Sequence, residues 1–352
     1  MRSALGLMLA SVVAAIVIAG VWFWTSSPRA DAAPPQTTAA AKADPLPAAA
    51  KQAAKDDVET TAALSKRADA TQAAAPAAAP AAAPAPGPVA AAPKCNNPDG
   101  LGVSRTVVVD TTGGPGFGFL QYKQYDFLTD HEVVLTFDDG PWPTTPAVLK
   151  ALADECTKAV FFPIGLHTTY HPDILRQVAA AGHTIGAHTW SHAHLAGKKI
   201  TEQQAKDEIE KGFSAVKLAL GSNPAPFFRF PALAHTPATT AYLGTRNIAM
   251  FSVDVDSNDF KSKSSDEVIN NVMTKLDKEH KGIILMHDLQ KHTAQALPTL
   301  LRKLKAGGYK VVWMKAKTQI ETLPEYDAMM AKTEKPVASG RPIGNVVQTI
   351  AE

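Results

Sequence analysis

Val133-Val134-Leu135-Thr136-Phe137-Asp138-Asp139-Gly140-Pro141 is the stretch on which the reading of this chain turns. Its β-branched, apolar start reads as a buried strand, and Gly140-Pro141 stops it. Two adjacent carboxylates therefore stand where a strand leaves its sheet. Side chains alternate along a strand, so Asp138 and Asp139 point apart unless the strand is ending. Divergent directions suit divergent tasks, one carboxylate on a metal and the other free as a base. The plain alternative is a polar turn with Asp139-Gly140 as its turn chemistry.

Outward from this stretch the pattern is regular. Strand-like runs recur at Ala159 to Ile164, His183 to Ala187, Phe227 to Phe230, Ile248 to Val253, Gly282 to Met286 and Lys310 to Trp313. Helix-like segments separate them at Thr145 to Glu155, Pro172 to Ala181, Thr201 to Leu220, Pro237 to Gly244, Ser265 to His280 and Ala294 to Ala306. Thr201 with Gln204 forms a capping-box signal, and Ser264 or Ser265 before Asp266-Glu267 forms another N-terminal signal. Alternation of this kind predicts right-handed βαβ units with helices outside a parallel sheet, and about seven units predict a closed or nearly closed α/β barrel. Reactive residues in such barrels gather at the C-terminal ends of the strands.

Before the barrel the composition changes. Ala4 to Trp24 carries no charge, and a run of about 20 apolar residues is long enough to span a bilayer. Trp22-Phe23-Trp24 resembles an interfacial anchor, while Ala30-Asp31-Ala32 offers a signal-peptide cleavage site instead. Residues 1–24 are thus expected to be a membrane anchor or a signal peptide, and the body to be exported: held on the inner membrane facing the periplasm or cell wall, or secreted after cleavage. Residues 25–94, rich in Ala and Pro, lack the large side chains that offset folding entropy and are expected to be a disordered tether. The folded domain is expected at 95–325 and a polar tail at 326–352. A net charge of +2 argues against a nucleic-acid partner. The two cysteines, Cys95 and Cys156, suggest one disulfide in an exported protein, with two unrelated thiols as the alternative.

The strand exits carry the chemistry. Asp138-Asp139 follows the first strand of the regular pattern. His188-Thr189-Trp190-Ser191-His192 follows the third, and a helical turn there would put both imidazoles on one face. With one carboxylate they compose a two-histidine, one-carboxylate metal site with open positions. His167 and His171 share the same spacing, but His171-Pro172 reads as a helix entry, so this pair is expected to be a surface feature. Arg229, amid Phe227-Phe228 and Phe230, needs a carboxylate partner or snorkels to solvent. Asp254-Val255-Asp256-Ser257-Asn258-Asp259 lacks the Gly and Glu of a calcium loop at the required offsets. His287 stands just past the apolar strand Ile283-Ile284-Leu285-Met286.

Thr136-Phe137-Asp138-Asp139-Gly140, His188-Thr189-Trp190-Ser191-His192, Arg229-Phe230-Pro231, Asp256-Ser257-Asn258-Asp259-Phe260 and Leu285-Met286-His287 resemble, in order, the five motifs of the polysaccharide deacetylase family, carbohydrate esterase family 4, with the NodB-homology domain. The resemblance spans Glu132 to Trp313. It implies a distorted (β/α)7-type barrel that removes acetyl groups from N-acetylglucosamine polymers such as peptidoglycan, or O-acetyl groups from xylan in some members. It further implies that Asp139, His188 and His192 hold one divalent ion, zinc first, with cobalt or nickel as alternatives. Asp138 would be the general base, oriented by Arg229. His287 would be the general acid, held by Asp259. Leu285 would line the acetyl-methyl pocket, the Ala232 backbone N–H would meet the oxyanion, and Pro231 and Phe260 would border the groove. Two positions depart from the family pattern: Ala232-Leu233 stand where an aromatic and Gly are usual, and Phe260 replaces Trp. Both touch substrate shape more than chemistry. Two other readings stay open, a non-catalytic envelope-glycan binding module and an iron(II) oxygenase triad.

Overall fold

The structure is a computed structural model and describes residues 97–333. The expected anchor, the tether, Cys95 and the end of the tail lie outside the described residues. Among the described residues, no helix is long and apolar enough to cross a membrane.

Glu132–Asp138 (β3) is central, and it is preceded by Arg105–Val109 (β1) and Gly116–Phe117 (β2). After β3 the chain alternates through Thr145–Asp154 (α1), Val160–Phe162 (β4), Gly165–Tyr170 (α2), Pro172–Ala180 (α3), Thr184–Ile185 (β5), Glu202–Leu220 (α4) and Phe227–Phe228 (β6). It continues through a 3-10 turn at Pro231–Leu233, then Pro237–Thr245 (α5), Ala249–Phe251 (β7), Val255–Asp256 (β8), Ser265–Glu279 (α6) and Gly282–His287 (β9). Lys291–Ala306 (α7), Lys310–Ala316 (β10) and Pro324–Thr333 (α8) complete the described chain.

Among the described residues every strand pairing is parallel. β9 lies along one edge of β3 with Asp138 opposite His287, while the other edge is shared by β10 at Glu132–Val133 and by β4 at Thr136–Asp138. β5 follows β4, and a bridge from Ala187 to Phe228 carries the ring to β6 and β7. β8 begins four residues past the end of β7 and returns to β9, so this single run changes partners midway and closes a distorted α/β ring. β2 and β8, two residues each, lie outside the strand-like runs of the sequence, whereas the equally short β5 and β6 fall within theirs.

Alternation along β3 sorts its residues between two apolar layers. Val133, Leu135 and Phe137 pack outward with Val148, Leu152, Leu297 and Leu300 from α1 and α7. Val134 joins Val160, Phe162, Phe227, Phe251 and Ile283 inside the ring. A strand buried on both faces explains why the sequence there is a continuous apolar run rather than an alternating one. Each large side chain fully buried in these layers contributes about 1.5–3 kcal/mol.

The helices start where the sequence signals them. Thr201 and Gln204 form both hydrogen bonds of a capping box, and Ser264, rather than Ser265, caps α6. α1 carries the chain from the C-terminal end of β3 back to the end where strands begin. There the Asn97 side-chain amide donates to the Asp154 carbonyl at 2.8 Å, and Lys305, at the end of α7, donates to the Asp99 carbonyl. Cys156 follows directly after α1, so it shares that end with the first described residue.

Candidate active site

The strand exits of β3, β5, β6, β8 and β9 meet at one end of the ring. Asp138 is the last residue of β3 and faces inward in the same alternation as Val134 and Thr136. Its neighbour Asp139 leaves the strand at φ 73° and turns its carboxylate elsewhere. The divergence expected from the sequence is therefore achieved by a left-handed residue at the strand end.

His188 and His192 do converge, although not through a helical turn. The loop is irregular, with Thr189 at φ 64° and His192 at φ 62°. It is braced on α4: the Trp190 N–H donates to the Glu208 carbonyl at 2.8 Å, and the Glu208 carboxylate accepts from the Ser191 N–H and hydroxyl. Gly212 of α4 permits this approach, since a Cβ there would sit 2.7 Å from the Thr189 carbonyl carbon. The Nε2 atoms of His188 and His192 each stand 3.4 Å from Asp139 Oδ1.

These three ligand atoms lie within 4.8 Å of one another, and Asp139 Oδ1 is buried with no hydrogen-bond partner. A buried, unpaired carboxylate oxygen facing two imidazole nitrogens is what a cation fits. The His188 Nδ1–H donates to the Arg229 carbonyl at 2.6 Å, which leaves the lone pair on Nε2 directed at Asp139. Burial holds the His188 pKa down against the nearby carboxylates, so this imidazole is neutral, as a ligand must be. The residues present thus fit a divalent metal ion.

Arg229 is 0 % exposed, which excludes the snorkelling alternative. Its guanidinium donates to Asp138 Oδ1 at 2.7 Å, to Thr136 Oγ1 at 2.8 Å and to the Ser252 carbonyl at 3.1 Å, and stacks 4.5 Å from the Phe162 ring centre. A buried cation requires such partners. Asp138 Oδ2 remains on the site side, 3.9 Å from His188 Nε2.

Across β3, His287 Nδ1 and Asp259 Oδ1 are 2.6 Å apart. The other Asp259 oxygen accepts from the His287 backbone N–H at 2.7 Å and from the Thr293 hydroxyl at 2.5 Å. Burial alone would lower the His287 pKa, but the hydrogen bond and charge of Asp259 outweigh it and raise the imidazole to about 9. Asp259 is the mirror case: burial favours its neutral form, yet its hydrogen bonds from His287 and Thr293 keep it below the ordinary carboxylate range. His287 Nε2 lies 3.9 Å from Asp139 Oδ2.

The remaining expected residues surround these groups. Leu285 is buried two residues before His287 on the same face of β9. Pro231 is buried, and Ala232 is exposed at φ 53° in the 3-10 turn after β6. Phe260 is exposed, with its ring edge-on to His287 at 5.8 Å between centres.

The structure also brings in residues that sequence reading set aside or passed over. His167 is not a remote surface residue: its Nδ1–H donates to the Asp139 carbonyl at 2.6 Å. The short helix α2 turns it inward, while His171 does precede α3 as expected. Trp142 packs on both rings, 5.0 Å from His167 and 5.1 Å from His171. Asp288 is fully buried beside Gly140, accepts from the Thr145 hydroxyl at 2.5 Å, and burial raises its carboxyl pKa to about 7. The adjacency Met286-His287-Asp288 was the available sequence signal for it, and its burial was not legible there.

A parallel α/β ring whose strand exits present a two-histidine, one-carboxylate cluster able to hold a metal ion, flanked by an arginine-bound carboxylate and an aspartate-bound imidazole, defines the class of this fold and site. The chain belongs to the polysaccharide deacetylase family, whose model matches residues 128–249. It is 32% identical over 205 residues to a peptidoglycan-N-acetylglucosamine deacetylase of Bacillus cereus, an alignment covering 56% of this chain and 72% of the relative. It is 33% identical over 185 residues to a peptidoglycan-N-acetylglucosamine deacetylase of Listeria monocytogenes, with 52% of this chain covered but only 38% of that relative's length. A solved peptidoglycan deacetylase of Bdellovibrio bacteriovorus matches with a TM-score of 0.55 and 32% identity, over 61% of this chain and 59% of that one.

Proposed function

We propose that this protein is a metal-dependent hydrolase that removes acetyl groups from N-acetylated envelope polysaccharide, with peptidoglycan N-acetylglucosamine as the foremost substrate. The observation that carries the reading is the divided environment of the two adjacent aspartates. Asp139 faces two imidazoles with an unsatisfied oxygen, whereas Asp138 is held by a buried guanidinium. The named relatives act on peptidoglycan, which favours the N-acetyl substrate over an O-acetyl one.

Asp139, His188 and His192 would hold the ion. A divalent ion bound there supplies a water of lowered pKa and polarises an acetyl carbonyl. Asp138 would serve as the base for an attacking water, because Arg229 fixes one of its oxygens and leaves Oδ2 toward the site. Ala232 offers its backbone N–H to the developing negative charge from a left-handed turn. His287 carries a proton at neutral pH and donates it from Nε2 to the departing amine, with Asp259 stabilising the charged ring. Leu285 gives the acetyl methyl group an apolar wall.

Localisation follows from the uncharged run Ala4 to Trp24: the barrel is exported and works on the periplasmic or cell-wall side, on the membrane or released from it. Cys156 and Cys95 form a disulfide, a reading supported by the position of Asn97 against the end of α1. Acetate release from N-acetylglucosamine oligomers and from peptidoglycan by zinc-loaded protein tests the activity. No release from any acetylated glycan, together with an inert Asp138→Asn substitution, would overturn it. Oxygen- and 2-oxoglutarate-dependent turnover would instead favour an oxygenase.

A further inference from the structure

Trp142 is a large apolar side chain that is 37 % exposed, yet it is held at three points. Its backbone N–H donates to Thr145 Oγ1 at 2.9 Å, the same hydroxyl that donates to the buried Asp288. Its ring packs against His167 with a 47° tilt and against His171 edge-on at 86°. His167 in turn donates to the carbonyl of Asp139, so the indole is linked through one imidazole to a residue of the metal cluster. The ring leaves part of its apolar area in water beside the site while both imidazoles pack against it.

The order of the strands sets the place of the indole relative to the second exposed aromatic. Phe260 rises at the β8 exit against His287, and Trp142 leans from the β3 exit toward His167 at the β4 exit. β9 and β3, which carry His287 and Asp138, lie between β8 and β4. Three strand spacings of about 4.8 Å separate the outer two, a span of about 14 Å. That is longer than one pyranose ring, so the two strand exits leave room for different sugars of one chain.

We infer that Trp142 is the stacking platform for a pyranose adjoining the one whose acetyl group is removed, an inference that rests on the deacetylase reading above. A pyranose with equatorial substituents turns its axial C–H groups outward from the ring face, and an indole face offers the matching apolar, electron-rich surface. The imidazoles behind the indole hold its angle before substrate arrives, so little rotamer freedom is lost on binding. The site then selects a polymer over a single sugar, and it does so from the β3 and β4 side of the metal cluster.

The test is kinetic and structural. With zinc-loaded full chain and an N-acetylglucosamine tetramer, Trp142→Ala is expected to raise KM about tenfold with kcat within about threefold, and Trp142→Phe to recover most of the loss. Hydroxyl-radical labelling of the Asp138→Asn protein is expected to show Trp142 protected by the tetramer but not by the monosaccharide. An unchanged KM in Trp142→Ala, a loss confined to kcat, or equal labelling of Trp142 with and without tetramer would overturn the inference. Absence of acetate release by the unsubstituted protein would defeat the deacetylase reading, while the labelling result would still decide whether Trp142 contacts the glycan.

Discussion

Asp138 and Asp139 share a peptide bond and little else, because one ends a strand inside the ring and the other begins a left-handed turn. Their substitutions are expected to fail by different routes. Asp139→Asn should lose bound metal, read by elemental analysis after dialysis, whereas Asp138→Asn should keep metal and lose at least about 100-fold in kcat. On the acid side, the raised pKa of His287 means that its protonated form persists up to about 9 and disappears above it. Activity that needs the acid form therefore falls as pH rises through the His287 pKa, and a cation bound at Asp139 moves that limb to lower pH. Asp259→Asn removes the group that raises the pKa, so the alkaline limb of the pH–kcat profile is expected to move further toward acid; an unmoved limb would detach His287 from the acid role. At this scale much was legible in the sequence, since acids, imidazoles and an arginine at successive strand exits have few inert explanations. The burial of Arg229 was not, because no local pattern distinguishes a guanidinium that pairs inside a ring from one that reaches solvent.

The loops show where one-dimensional reasoning stopped. Spacing of four between His188 and His192 suggested a helical turn, and the side chains converge by another path because Glu208 and Gly212 of α4 hold the loop in place. That support comes from residues well downstream, which local spacing cannot report. Gly212→Ala separates two effects: alanine favours a helix by about 1 kcal/mol, while its methyl would press on the Thr189 backbone. Activity and metal affinity are expected to fall more than thermal stability does, and equal falls in all three would assign Gly212 a purely structural role. Gly140→Ala meets a harder obstacle, since a Cβ would lie 2.1 Å from an oxygen of the buried Asp288 carboxyl. Its expected cost is about 1–3 kcal/mol, read from chemical denaturation. His167 was misread for a similar reason: the six-residue helix α2 is too short to announce itself, yet it turns this imidazole onto Asp139.

Across the whole molecule, the ring depends on a polar clasp at its strand-start end as well as on its apolar layers. Glu132 accepts two hydrogen bonds from Arg105, at 2.7 and 2.6 Å, joining β1 to the start of β3. The hydrogen bonds from Arg105 outweigh burial and lower the Glu132 pKa to about 2 from an ordinary 4.5. A depressed carboxylate pKa stabilises the fold above about 4.5, and the benefit is lost as pH falls toward 2. Glu132→Gln is thus expected to cost about 2 kcal/mol at neutral pH, discounted for the part-exposed guanidinium, with the difference from the unsubstituted protein shrinking below pH 4.5. A difference that stays constant with pH would remove the ionic explanation. The same end of the ring receives the chain, since Asn97 binds the last turn of α1 and Asp99 meets the end of α7. The candidate site occupies the other end, at the C-terminal ends of the strands. The first described residues therefore meet the barrel at the end opposite the candidate site. A label or fusion placed just before Asn97 is accordingly expected to leave access to the candidate site unchanged, read by the rate of acetate release.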